Sequence, residues 1–204
     1  DGLFWRRRAR KFVTGTGQHL TIRTPASRKS RSERWPELVE VAAYIFAEKG
    51  YEAASLQDIA ERVGMLKGSL YHHITSKSDL LVHVLREAHR RGLHKFVAIG
   101  EGGGTAISRL EAMVSAHARF ICTERTFTAT FIQAHRFLPE TRQIEFIDAE
   151  RNYRLLTENL IAQGQKDGAL RADLNPKLAA LCLMGFLNAL HLWVRPGGAF
   201  SIRR

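Results

Sequence analysis

The amino-acid sequence predicts an all-α protein, and three observations carry that expectation. From Trp35 onward apolar residues recur at i, i+3 and i+4, the period of an amphipathic helix. The gaps between these stretches hold helix-end chemistry: Gly after the last periodic residue, and Ser, Thr, Asn or Pro before the first. No segment shows sustained apolar–polar alternation bounded by hairpin turns. A chain of 204 residues, 45% of them hydrophobic and 25% charged, is long and apolar enough for one domain, or for a small domain attached to a larger one.

The elements follow in order. A first helix is expected over 35–49, where Trp35, Leu38, Val39, Ala42, Ile45 and Phe46 form one stripe. Pro36 fits there only in the first turn, and Gly50 stops it. Ser55, with Asp58 three residues on, makes a capping box for a short second helix over 56–63 that Gly64 ends. A third short helix is expected over about 66–73. Ser76, with Asp79 three residues on, caps a long fourth helix expected to reach about residue 99. Four glycines in positions 100–104 break the chain. Thr105 opens a helix to about residue 124, Thr126 another to about 137, and Pro139 a long one to about 166 that Gly168 terminates. Asn175 followed by Pro176 is a cap with proline at the first helical position, and the last helix runs to about residue 194.

Charge is unevenly spread. The net +11 comes from 31 basic and 20 acidic residues. Residues 1–34 hold ten basic and two acidic residues; 35–79 hold four and seven; 80–204 hold 17 and 11. Eight of the eleven charges thus belong to a short arm, expected over 1–31, that is rich in Arg, Thr, Gly and Ser and lacks helical periodicity. It is read either as a flexible tail with incidental charge or as an arm touching DNA phosphates or a minor groove. Its Arg-rich leader composition resembles a transit peptide weakly, and the start at Asp1 without Met reads as a fragment or an unusual start. Leu3, Phe4 and Trp5 before Arg6, Arg7 and Arg8 have the makings of an interfacial anchor. No unbroken run of about 18 apolar residues occurs, which by that criterion excludes a transmembrane helix, and no stable membrane association is expected.

Several classes of chemistry have no pattern to support them. Two cysteines, Cys122 and Cys182, cannot form a disulfide scaffold and fit a reducing compartment. No Gly-rich phosphate loop, Cys-x-x-Cys, His-Glu-x-x-His or nucleophile elbow occurs. His83, His89 and His94, spaced by six and five, scatter round a helix, and the adjacent His72 and His73 face different ways. No catalytic residue, metal or cofactor is expected.

Two short helices joined by a tight turn at Gly64 are the parts of a helix-turn-helix, whose second helix enters the major groove of DNA by its N-terminal residues. Residues 40–81 carry Phe46-Ala47-Glu48-Lys49-Gly50-Tyr51, Asp58-Ile59-Ala60, Gly68-Ser69-Leu70-Tyr71 and Ser76-Lys77-Ser78-Asp79-Leu80-Leu81. In this ordered set the segment resembles the N-terminal domain of the TetR family of transcriptional repressors. The resemblance implies a helix-turn-helix domain over 32–78 and a helical effector-binding and dimerisation domain over 79–204. It also implies a homodimer on a near-palindromic double-stranded DNA operator, with recognition helices about 34–36 Å apart or a multiple of that. The implied DNA-facing residues are Lys67, Gly68, Ser69, His72 and His73 around the third helix, and Ser55 and Gln57 from the second. Tyr71 and Lys77 are implied phosphate contacts. Arg31 and Arg34 are added because the motif region itself is net acidic. Leu70 and Ile74 read as core, on Ile59 and Phe46. Leu66 departs from the usual Ser or Thr cap of the recognition helix, and Ile74 stands where Phe is usual.

In the larger half Phe146-Ile147, Arg151-Asn152-Tyr153, 168–174 and 193–198 resemble acyl-CoA-responsive members of the same family, the KstR2 type among them. This implies a small hydrophobic effector: an acyl-CoA thioester, or else a free fatty acid, steroid, aromatic compound or drug. The implied lining is Leu85, Phe96, Met113, Phe120, Phe127, Phe131, Phe146, Tyr153, Leu181, Met184 and Trp193, for any one of which ordinary bundle core is the simpler reading. Arg136, Arg142, Arg151 and Arg154 cluster in and around the long helix, with Arg151 the candidate cation for the thioester phosphates, and Asp148–Arg151 and Glu150–Arg154 helix-surface ion pairs are the cheaper account of that cluster. Family members usually continue with a further helix after a Pro-Gly-Gly turn. With Arg204 only six residues past Gly198, the dimer face is expected on 177–194 and the long helix, unless the chain is truncated. The chain is thus read as a ligand-responsive repressor of the bacterial cytoplasm, associated with the nucleoid. A multidrug or aromatic-compound sensor and a membrane-surface helical protein are the alternatives.

Overall fold

The computed structural model describes residues 31–194, so the arm, apart from the backbone of Arg31, lies outside the described residues. Among the described residues the regular structure is all helical: α1 (Arg31–Lys49), α2 (Leu56–Val63), α3 (Lys67–Leu70), α4 (Lys77–Arg91), α5 (Leu93–Gly100), α6 (Ala106–Thr123), α7 (Arg125–Ala134), a 3-10 turn (His135–Phe137), α8 (Glu140–Lys166) and α9 (Pro176–Trp193).

Local chemistry sets most of these ends. At the start of α2 the Asp58 N–H donates to Ser55 Oγ at 3.1 Å and the Ser55 N–H donates to Asp58 Oδ2 at 3.0 Å, a complete capping box. Hydrogen bonds from Lys49 and Ser55 hold the Asp58 carboxyl down to about 2. Gly64 ends α2 in the left-handed region at φ 70°, which a Cβ would oppose. Ser76, Thr105 and Asn175 each accept from the N–H three residues on, starting α4, α6 and α9.

Three boundaries differ from the sequence expectation. Helix α1 begins at Arg31, so Pro36 lies inside it and removes one intrahelical hydrogen bond. Helix α3 has only four residues: Leu66 offers it no side-chain cap, and Gly68 within it is a poor helix former. The long helix expected after Ser76 breaks at Gly92 into α4 and α5. There the Phe120 ring occupies the space of a side chain, and a Cβ would lie 2.8 Å from its Cε1.

Two apolar clusters hold the helices. The first joins Leu38 and Phe46 of α1, Ile59 of α2 and Leu70 of α3 to Leu80 and Leu85 of α4 and Phe127 of α7. The second joins Phe96 of α5, Met113 of α6, Tyr153, Leu160 and Ile161 of α8 and Ala180 of α9. Polar clasps reinforce the first. The buried Thr130 hydroxyl donates to the Ala43 carbonyl at 2.9 Å, and Arg91 on α4 pairs with Glu40, Glu87 and Glu124.

Helix α9 corrects the reading on membrane spans. Its 18 residues reach a mean hydropathy of 1.2, long and apolar enough to cross a bilayer by length and composition. Lys177, Asn188 and His191 interrupt the run, which is why a strict apolar count passes over it. One face packs on the bundle through Ala180 and Leu187, while Leu178, Leu181, Phe186, Leu192 and Trp193 are exposed.

Candidate DNA-reading surface and effector cavity

Leu70 orients the recognition segment. Its complete burial in the first cluster leaves Lys67, Gly68, Tyr71 and His72 exposed, with Ser69 half-buried beside them. A Cβ on Gly68 would meet nothing within 4 Å, so this edge is open to close approach. Tyr71 is 52% exposed, and Leu66, which the sequence reading valued only as a missing cap, is 80% exposed immediately before α3. From α2, Ser55 and Gln57 are exposed on the surface. Each is engaged locally: the Ser55 hydroxyl is bound up with Asp58, and Gln57 Nε2 donates to Glu61 at 2.7 Å. Arg34 is half-buried, and the Arg31 side chain lies outside the described residues.

Two expected DNA contacts take other places. The His73 ring stacks on Trp35 with centroids 5.7 Å apart, which sets it on the α1 side of the exposed row. Lys77 Nζ donates to the carbonyls of Tyr51 at 2.9 Å, Glu52 at 3.1 Å and Ala54 at 2.9 Å. An ammonium has three donors, so none is left for a phosphate in this arrangement. The Tyr51 ring, 4.5 Å away, completes the seat.

A cavity of about 110 Å³ lies among α4 to α9. Five expected lining residues, Phe96, Phe120, Phe131, Tyr153 and Met184, converge on it with Leu93. The others do not reach it. Met113 is fully buried in the second cluster, and Phe127 in the first, with the Arg91 guanidinium 4.2 Å over its ring. Phe146 stands one layer behind, against the rings of His89 and Phe131. Trp193 is exposed on α9, edge-on to Phe186 at 5.6 Å, and Arg151 is exposed on α8. The expected ion pairs also fail to form: Arg154 pairs with Glu158, and Glu150 turns to the cavity.

Sequence reasoning missed the polar groups of this wall: His89, His117, Thr128, Glu150 and Asn188. A signal for two of them exists, since His117 and Glu150 each fall four residues after a core residue, Met113 and Phe146, on the apolar stripes of α6 and α8. Burial pushes His89 and His117 down to about 4, so both rings are uncharged near neutral pH. His117 Nδ1 lies 3.1 Å from the Tyr153 hydroxyl. Burial raises the Glu150 carboxyl and the Tyr153 phenol above their ordinary values. Among the described residues no Lys or Arg lines the cavity.

Residues 38–84 match the family model of bacterial regulatory proteins of the tetR family, and residues 103–204 match that of the tetracyclin repressor-like C-terminal domain. The chain belongs to the TetR family. Among TetR-family relatives it is 30% identical to the HTH-type transcriptional repressor KstR2 of Rhodococcus jostii strain RHA1, over 84% of this chain and 85% of that protein. The structure of the ketosteroid transcriptional regulator KstR2 of Mycobacterium tuberculosis superposes with a TM-score of 0.76 at 28% identity, covering 85% of this chain and 88% of that one. The TetR-family regulator PfmR of Thermus thermophilus gives 0.73 at 27%, covering 84% and 90%. As a member of this family the chain is a DNA-binding transcriptional regulator and not an enzyme.

Proposed function

We propose that this TetR-family regulator is a homodimeric repressor that leaves a near-palindromic operator when a hydrophobic effector, an acyl-CoA thioester in the leading case, enters the cavity. The observation that carries the reading is the position of α4. This helix supplies His89 and Ala88 to the cavity wall and Leu80, Leu81 and Leu85 to the core shared with α1, α2 and α3. Sites for drug-sized ligands measure roughly 300–1,000 Å³. An effector of that size must therefore enlarge a cavity of about 110 Å³. Displacing α4 moves the recognition helices, and an effector that favours the displaced state weakens operator binding by that difference in affinity.

Because the wall holds no cation among the described residues, only the acyl part of a thioester enters it. Its phosphates stay outside, with the exposed Arg151 as candidate partner. The repressor names of the KstR2 relatives support the sign of regulation. Action on the chromosome in the bacterial cytoplasm follows from the same reading. The test is a gel shift on the DNA upstream of the chain's own gene, with and without a panel of acyl-CoA thioesters. Specific retardation reversed by a thioester is the expected result. Absence of retardation at low salt, or a thioester that binds without altering it, overturns the reading.

A further inference from the structure

Two buried polar atoms of the cavity wall have no hydrogen-bond partner among the described residues: His89 Nε2 and Thr128 Oγ1. The residues are 8% and 2% exposed, and both line the same cavity. Leaving such groups unpaired is costly, and native interiors rarely tolerate it without a ligand, water or ion to complete them. Glu150, from α8, also faces this space, with no hydrogen bond or ion pair among the described residues; Arg154, one turn on, is taken by Glu158. The remaining polar groups are the His117–Tyr153 pair and Asn188.

We infer that the cavity selects an apolar ligand bearing an uncharged oxygen group, a ketone, ester-type carbonyl or hydroxyl, held by His89 Nε2 and Thr128 Oγ1, and that Glu150 bars the corresponding carboxylate. The inference deepens the reading of the cavity as an effector site and rests on it. The partners fit the chemistry. A threonine hydroxyl donates to a carbonyl or a hydroxyl oxygen, and an uncharged imidazole nitrogen donates or accepts according to its tautomer. A carboxylate placed here meets no cation in the described wall, and the neutral donors that hold a ketone offset only part of its desolvation cost, with the Glu150 carboxyl group facing the same space. Sites built to hydrogen-bond one oxygen group discriminate strongly against ligands that leave those partners unpaired. The cavity thereby distinguishes a masked acid from the free acid, and also from an alkyl chain of equal length, which an apolar slot alone cannot do.

The experiment titrates the full chain calorimetrically with five probes of equal length: 2-heptanone, 1-heptanol, heptanoate, heptylamine and 1-chloroheptane. Heptanone and heptanol are expected to bind at least about tenfold tighter than heptanoate. Thr128→Val, nearly isosteric, should weaken the ketone and the alcohol about fivefold and leave chloroheptane within twofold. Glu150→Gln should strengthen heptanoate at least threefold. His89→Phe serves as a second variant, with melting curves showing that each variant folds. Heptanoate binding as tightly as heptanol, heptylamine binding tightest, all probes indifferent to Thr128→Val, or no probe binding at all would each overturn the inference. If the neutral probes bind with the expected order while thioesters leave the operator complex intact, the inference stands and the repressor-release reading falls.

Discussion

An ammonium carries one charge and three donors, and Lys77 places all three donors on the carbonyls of the turn between α1 and α2. That choice ties the first residue of α4 to the entrance of the helix-turn-helix. Such bonds to a charged group contribute roughly 1.5–3 kcal/mol each when well shielded, less at a half-exposed site. Replacement by a chain of similar length without donors, Lys77→Met, is expected to cost about 2 kcal/mol in urea unfolding. The salt dependence of operator binding should keep its slope, because the clasp donates nothing to phosphate. Were Lys77 instead a phosphate partner in each subunit, its removal would reduce the log-log slope by about 1.8 per dimer. A reduced slope with unchanged stability would return Lys77 to the groove. Its place in the motif identifies Lys77 in the sequence, yet the motif is silent on which partner takes the charge, since the three carbonyls lie 23 to 26 residues upstream.

At the scale of the helix, what could be read from sequence depended on how local the cause was. The starts of α2, α4, α6 and α9 are set by a side chain and an N–H three residues away, and each was visible as a Ser, Thr or Asn in the right place. The break between α4 and α5 joins a local signal to a tertiary contact. Gly92 follows the basic last turn His89, Arg90 and Arg91, itself a helix-end signal, and the Phe120 ring of α6 fills the space its side chain would take. The same ring lines the cavity, so this helix break and the ligand wall are one feature. Gly92→Ala is expected to push the Phe120 ring aside, since its Cβ would meet Cε1 at 2.8 Å and Cζ at 2.9 Å. Overpacking of this kind costs about 1–3 kcal/mol. If Phe120 moves into the cavity, 2-heptanone should bind at least about fivefold more weakly while operator affinity without ligand stays within twofold. Unchanged ketone binding would mean that the ring escapes away from the cavity. The cavity's aromatic wall was partly legible from the apolar stripes, whereas its polar lining was not. Periodicity marks the faces that turn inward, and His89 and Thr128 are inward-facing polar residues whose neighbours come from distant helices.

Across the whole molecule, the residues that leave the core are as informative as those that fill it. Leu178, Leu181, Phe186, Leu192 and Trp193 on α9, with Ile144, Ile147 and Leu155 on α8, expose eight large apolar side chains on two helices that also pack against each other. Monomeric proteins rarely leave so extended an apolar surface in water, and a second copy applied to it would bury both faces together. Dimerisation through these faces also meets the need of DNA recognition. The exposed row on α3 is one turn long and reaches too few base pairs for specificity without a second half-site. Phe186→Glu combined with Leu181→Glu sets charges on this surface without touching the buried residues Ala180 and Leu187. In sedimentation the unaltered chain is expected as a dimer and the double variant as a monomer, with helical circular dichroism and 2-heptanone binding retained. Operator affinity should then fall by about 100-fold or more, because each missing half-site contact forfeits roughly 1–3 kcal/mol per base pair. A variant that stays dimeric would move the interface elsewhere, and a monomeric variant that still binds the full operator tightly would separate DNA recognition from dimerisation. Retained ketone binding in the monomer would show that each subunit's cavity is complete in itself, as its lining from α4 to α9 of one chain requires.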